Sequence, residues 1–342
     1  MHDLNGYTSL SSCCQDLEIF VLDKGFSRSV HIRGSHLFPS GTFEFCDYSE
    51  FETKLSVGTL EKIASKKGRY FRDEVARSED PSYMKAVQLV VREFGIPLSD
   101  ARVLDFGCGS GAFALSLLRQ GAKDIVGVEV DAELLDIAIS RLNDFEFSGC
   151  HFREIDFVDE TSGLPFEDGE FDIVWPHAVL EHVFPRQRKF VLRELWRVLK
   201  KGGLLIVDAT PNRLWIKEYH TSRLFFVNYL PLSLAAGLAR RFSERVDSNE
   251  PRASLLARGF RGSTYWEIAR AIPGSTCLNN LVRKRELSIW MESWRKEGDS
   301  RIKRGIKEAY NIFMGALDPV LGLLKIPQSV LLPALILVFR KP

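Results

Sequence analysis

Three glycines spaced two apart, Gly107, Gly109 and Gly111, occupy Val103-Leu-Asp-Phe-Gly-Cys-Gly-Ser-Gly111, between an apolar run and a helical one. Glycine lets a backbone turn tightly and approach a ligand with no Cβ in the way. A helix N-terminus just beyond offers unpaired N–H groups to a carboxylate or a phosphate. Glu129 ends the next apolar run, about 20 residues on, where an acid suits ribose hydroxyls. Gly107-x-Gly109-x-x-Ala112 also fits the glycine pattern of dinucleotide sites, so the loop alone leaves two ligand classes open. Asp105, two residues before the loop, favours one of them. A carboxylate there repels a pyrophosphate and welcomes a cationic amino-acid end.

The surrounding pattern supplies the elements that must hold this loop. Apolar residues at Met84, Val87, Val91 and Phe94 have helical spacing, and Gly95 and Pro97 close that helix. Short apolar runs at 102–106, 125–129, 151–155, 171–175 and 204–209 read as strands, with helices over 112–120, 132–143 and 188–200. Such alternation predicts a parallel sheet with helices on both faces and ligands at the C-terminal strand ends. Residues 1–80 read as a polar N-terminal extension with short β-like pieces such as Thr42-Phe-Glu-Phe45, and 81–210 as the cofactor-binding core. A basic helical insertion spans 211–327, and a terminal core strand lies within 328–342.

Six ordered segments here resemble the class I S-adenosylmethionine-dependent methyltransferases. They are Leu104-Asp-Phe-Gly-Cys-Gly-Ser-Gly111, Val126-Gly-Val-Glu-Val-Asp131, Ile155-Asp156, Leu164-Pro-Phe-Glu-Asp-Gly-Glu-Phe-Asp-Ile-Val174, Val179-Leu-Glu-His-Val183 and Leu199-Lys-Lys-Gly-Gly-Leu-Leu-Ile-Val207. The resemblance covers about 100–210 and the last strand. It implies an α/β fold: a seven-stranded, mostly parallel Rossmann-like sheet, with a helical insertion before the last strands. The implied cofactor is S-adenosyl-L-methionine. Gly107, Gly109 and the backbone up to Gly111 then hold its methionine end, and Asp105 faces its ammonium. Glu129 takes the ribose hydroxyls and Val130 packs on adenine. Asp156 accepts from the adenine amino group, with Phe157 beside it.

Transfer from a sulfonium is an in-line displacement, so a base matters only when the acceptor must lose a proton. His177, His182 and His220 are the candidates. If 177–182 is helical, His177 and Glu181 share a face. Isoprenoid-quinone O-methyltransferases resemble this stretch and Thr210-Pro-Asn-Arg213. In some of them an acid one turn before the Glu-His pair helps bind a metal; Ala178 holds that place here, so no metal is expected. His220, between Tyr219 and Thr221, opens the insertion, which in this superfamily supplies the acceptor site.

Apolar residues make up 45% of the 342, which excludes disordered and fibrous classes. A net charge of +1 conceals an asymmetry: 24 basic and 34 acidic side chains in 1–211, against 22 and 11 in 212–342. The basic half suggests an anionic or lipid-linked acceptor or a peripheral membrane contact, against a merely solvated helix face. No RNA-binding module accompanies it, which argues against nucleic acid. The uncharged runs 224–239 and 326–339 are short of the roughly 20 residues of a spanning helix. Six scattered cysteines without Cys-x-x-Cys, and no signal-peptide pattern at the N-terminus, favour the cytoplasm. The reading is methyl transfer to a hydroxyl of a small or medium-sized metabolite. A protein or RNA methyltransferase and a non-catalytic cofactor-binding partner are the alternatives.

Overall fold

The computed structural model describes residues 6–10, 17–33, 48–79, 84–156, 163–281, 285–294 and 301–342. In chain order, β1 (Thr8–Ser9), β2 (Glu18–Asp23), β3 (Arg28–Arg33) and β4 (Tyr48–Thr53) precede α1 (Val57–Lys67), α2 (Phe71–Glu79) and α3 (Lys85–Phe94). Then follow β5 (Arg102–Phe106), α4 (Ala112–Arg119), β6 (Asp124–Glu129), α5 (Ala132–Asp144), β7 (Cys150–Glu154), β8 (Phe171–Trp175), α6 (Arg188–Val198) and β9 (Leu199–Pro211). The remainder comprises α7 (Leu232–Phe242), α8 (Arg252–Ala257), α9 (Tyr265–Ala271), β10 (Thr276–Cys277), α10 (Arg285–Trp294), α11 (Arg301–Leu323) and β11 (Ala334–Arg340).

A seven-stranded sheet runs in the order β10-β11-β9-β8-β5-β6-β7, as the α/β expectation requires. β5 pairs parallel with β8, β8 with β9, and β6 with β7. β11 is antiparallel to β9, and β10 to β11. By contact density the chain falls into two compact units, Met1–Met84 with Cys108–Glu154, and Lys85–Gly107 with Ile155–Pro342.

In the first unit, residues expected only as an extension build a second sheet, β1-β2-β3-β4, antiparallel throughout. Its register sets Ile19 opposite Ile32 and Val21 opposite Val30. Period-two alternation puts all four on one face. They pack in a single buried cluster with Leu60 and Ile63 of α1, Phe71 and Val75 of α2, and Ile137 of α5. The Asp131 side chain caps α5 by accepting from Glu133 N and Leu134 N at 3.0 and 3.3 Å. α4 is buried from Ala112 to Leu118, which its nearly all-round apolar sequence dictates.

One buried ion pair joins three parts of this unit. Arg141 of α5, fully buried, donates to the Glu74 carboxylate of α2 at 3.0 Å and to Ser110 Oγ of the glycine loop at 3.3 Å. Ser110 Oγ in turn donates to Glu74. Burial raises the Glu74 pKa, but the Arg141, Arg77 and Lys67 cations and Ser110 prevail and hold it down at about 2.

In the second unit, β5, β8 and the 203–208 part of β9 are buried almost throughout, as central strands covered on both faces must be. The 211–327 region is helical, with α7, α8 and Phe260 around their own small core. Among the described residues no helix is long and apolar enough to cross a membrane.

Glu74→Ala strands a buried guanidinium, and urea unfolding is expected to report a loss of about 3–5 kcal/mol. A loss under about 1 kcal/mol would show that Arg141 finds other partners. Because the folded pKa is depressed, this pair's contribution is present above the ordinary carboxylate pKa and fades as pH falls towards 2.

Candidate functional site

β5 delivers Asp105 and then the glycine loop. Gly107, Gly109 and Gly111 all have positive φ, at 74°, 53° and 79°, a region that side chains with a Cβ rarely enter. Space adds a second reason at two of them. A Cβ on Gly107 would stand 2.7 Å from Val179 Cγ2, and one on Gly111 2.8 Å from Ala138 Cβ. At Gly109 no atom lies within 4 Å of such a Cβ, so bare backbone there faces open space.

Glu129 ends β6 close to that backbone. Its carboxylate accepts from Gly109 N at 3.0 Å and from Val130 N at 2.8 Å. Val130 is half exposed. In the second unit Asp105 is buried at the end of β5, and Asp156 is exposed just beyond Ile155. Phe157 lies outside the described residues.

The stretch after β8 is a succession of turns. Ala178 adopts a left-handed φ of 54°, and Ala178 N donates to Asp208 O at 3.1 Å, drawing the segment alongside β9. A helical face shared by His177 and Glu181 is therefore absent. Instead His177 meets Asp208, 31 residues away, through an Nδ1 to Oδ1 bond of 2.8 Å, and Trp175 Nε1 donates to the same oxygen at 2.7 Å. A carboxylate only accepts, so Nδ1 carries the hydrogen and Nε2 the lone pair. Burial lowers the His177 pKa, but the Asp208 charge and hydrogen bond outweigh it, helped by Asp105 and Glu181, and the net direction is upward. Asp208 was not anticipated, although an acid at the end of an apolar strand is the same signal that singled out Asp105.

His182 and His220 come together with Glu181 rather than with His177. Their rings lie edge to face with centroids 5.1 Å apart. Glu181 is buried, which pushes its pKa up, and it accepts from Thr210 Oγ1 at 3.2 Å. The His220 ring, desolvated and beside His182, Arg245 and Arg258, is pushed down to about 4. It is neutral at pH 7 and a weak proton acceptor.

Residues 104–207 match the methyltransferase domain family. An arsenite methyltransferase of Aquipseudomonas alcaligenes is 28% identical over 162 residues, 45% of this chain and 46% of that protein. A ubiquinone biosynthesis O-methyltransferase of Chelativorans is 35% identical over 147 residues, 42% of this chain and 50% of its own length. Among solved structures, a SAM-dependent methyltransferase of Methanosarcina mazei is 26% identical with a TM-score of 0.30, over 35% of this chain and 57% of that one. The chain spans about half the length of the curated relatives it matches.

Strand order, an antiparallel β11 and the glycine loop after β5 define the class I methyltransferase fold. The matched segment, residues 104–207, is a methyltransferase domain, and S-adenosyl-L-methionine is the cofactor that such a domain takes. Residues of the first unit fit that group: Gly109 presents bare backbone to open space, and the Glu129 carboxylate ends β6 beside it.

Asp208→Asn keeps the accepting oxygen and removes the charge. An NMR titration is expected to place the His177 pKa above 6.5 in the wild type and lower in the variant, where the Asp208 charge no longer opposes burial. A raised histidine pKa stabilises below the unfolded value and loses that contribution as pH rises through the folded one. The stability gap between the two proteins is therefore widest in acid. An unchanged His177 pKa would dissolve the pair.

Proposed function

We propose that the protein transfers a methyl group to a hydroxyl oxygen of a small or medium-sized metabolite of the sugar, lipid-linked or quinone type. The observation that carries this is the His177–Asp208 pair. A base is needed only where the acceptor must shed a proton, and a hydroxyl is such an acceptor. A carboxylate bound to Nδ1 fixes the tautomer, leaves Nε2 to accept, and stabilises the imidazolium once formed. The low proton affinity of His220 supports His177 over it in this role.

Bound S-adenosylmethionine supplies the methyl already activated as a sulfonium. In this reading Gly107 and Gly109 hold its methionine end, and Asp105 faces the ammonium. Glu129 takes the ribose hydroxyls, Val130 packs on adenine, and Asp156 reads the adenine amino group. Exposed Phe225, Phe226 and Tyr229 in the insertion support an acceptor with an apolar portion. The quinone-directed name of one relative is consistent with that.

Three measurements test this. Calorimetry should show S-adenosylmethionine binding that weakens at least about tenfold, or about 1.4 kcal/mol, in Glu129→Ala; equal affinity would remove Glu129 from the site. His177→Ala should keep cofactor affinity and lose about 10²–10⁴ in kcat. Methyl-labelled cofactor incubated with fractionated cell extract should label small molecules or lipids. Label confined to protein or RNA would overturn the acceptor class.

A further inference from the structure

We propose that Glu181, His182 and His220 form a binding site for a divalent cation of the zinc class. One ligand atom from each lies within 4.8 Å of the others, with Glu181 buried and His182 and His220 both residues that reach the surface. An ion can thus enter from solvent and meet a carboxylate fixed behind two rings. Two imidazole nitrogens and one carboxylate oxygen are a donor set that zinc favours, and three protein ligands leave a position open for water or an acceptor oxygen.

Each ligand is oriented from outside the trio. His182 Nδ1 bonds Ala257 O at 2.7 Å; a carbonyl only accepts, so the hydrogen sits on Nδ1 and the lone pair on Nε2. Imidazoles that hold metals are fixed in this way, by a carbonyl or carboxylate on the second nitrogen. Thr210 Oγ1 donates to Glu181. His220 rides on a turn built around the buried Glu218 carboxylate, which accepts from His220 N at 2.6 Å, Thr221 N at 2.9 Å and Ser222 Oγ at 2.8 Å. Thr221 Oγ1 anchors that turn to Arg258 O at 3.0 Å. Gly259, with φ of 88°, makes room: a Cβ there would collide with the His220 ring and stand 3.2 Å from Glu181 Cγ.

Two imidazoles ligating through their lone pairs and one carboxylate bring a single negative charge to a bound dication, which leaves the centre with a single positive charge. Such a centre attracts an anionic oxygen. The site rests on these three side chains and does not depend on which acceptor the enzyme uses.

The test begins with protein stripped by a chelator and titrated with Zn²⁺ against a chromophoric competitor. One equivalent is expected to bind, with at least a tenfold loss in His220→Ala and again in His182→Ala. His177→Ala, whose ring is engaged by Asp208, should bind as the wild type does. Zn²⁺ should raise the wild-type Tm and leave that of His220→Ala unmoved, and Co²⁺-loaded protein should show visible absorption that the variant lacks. S-adenosylmethionine binding, measured separately, verifies that each variant is folded and keeps this outcome apart from that of the proposed activity. No binding by folded wild type, or equal affinity in wild type and both histidine variants, would overturn the site.

Discussion

Asp208 is buried at the end of β9, and a carboxylate withdrawn from water to that depth must be surrounded by donors or lose its charge. Trp175 and His177 meet that demand on one oxygen. Meeting it bends the chain after β8 into the left-handed turn at Ala178, and that turn continues into Glu181 and His182. Two arrangements thus follow from one buried charge: the imidazole held by Asp208, and the Glu-His pair that meets the insertion. The same requirement operates elsewhere. Glu218 organises the turn that carries His220, and Glu74 binds Arg141 and the glycine loop. In each case the acid is placed by the donors it must have, and those donors are residues of the site or its immediate supports.

The core strands and the glycine loop were legible because their signals are local. An apolar run of five followed by alternate glycines needs no knowledge of distant partners. The positive φ angles of Gly107, Gly109 and Gly111 supply the physical reason for the pattern. The clusters were less legible because they are long-range. His177 and Asp208 are 31 residues apart, and His220 meets Glu181 and His182 across the whole of β9. Each histidine was recognised as chemically able, but its partner was set by strand pairing and by a turn that no helical periodicity describes. The N-terminal sheet escaped for another reason. β3 alternates, with Val30 and Ile32 inward, but it holds only those two apolar residues, and β2 is apolar from Ile19 to Leu22, so period two does not show which of its residues face inward. Their burial depends on α1, α2 and Ile137 of α5, which periodicity within the strands does not reveal.

The charge asymmetry changes meaning once cations are traced to their partners. Residues 212–342 carry twice as many basic as acidic side chains, which alone suggests an anionic partner. Yet buried Arg261 donates to Asn228 O and Leu230 O, and Arg240 to Glu250 O. Arg258 bonds Arg245 O and the Glu250 carboxylate, and Lys341 donates to Trp196 O and Leu199 O. An irregular insertion has carbonyls with no ladder to satisfy them, and the multiple donors of a guanidinium can satisfy two at once. Carbonyls carry no formal charge, so this use of arginine inflates the net count without presenting charge to a partner. The cations that do face solvent include Arg301 and Arg304 of α11. They lie beside exposed Ile302, Ile306 and Phe313, which recur along one face of that helix. Part of the excess charge therefore holds the protein's own backbone, and part, Arg301 and Arg304 of α11 included, faces solvent.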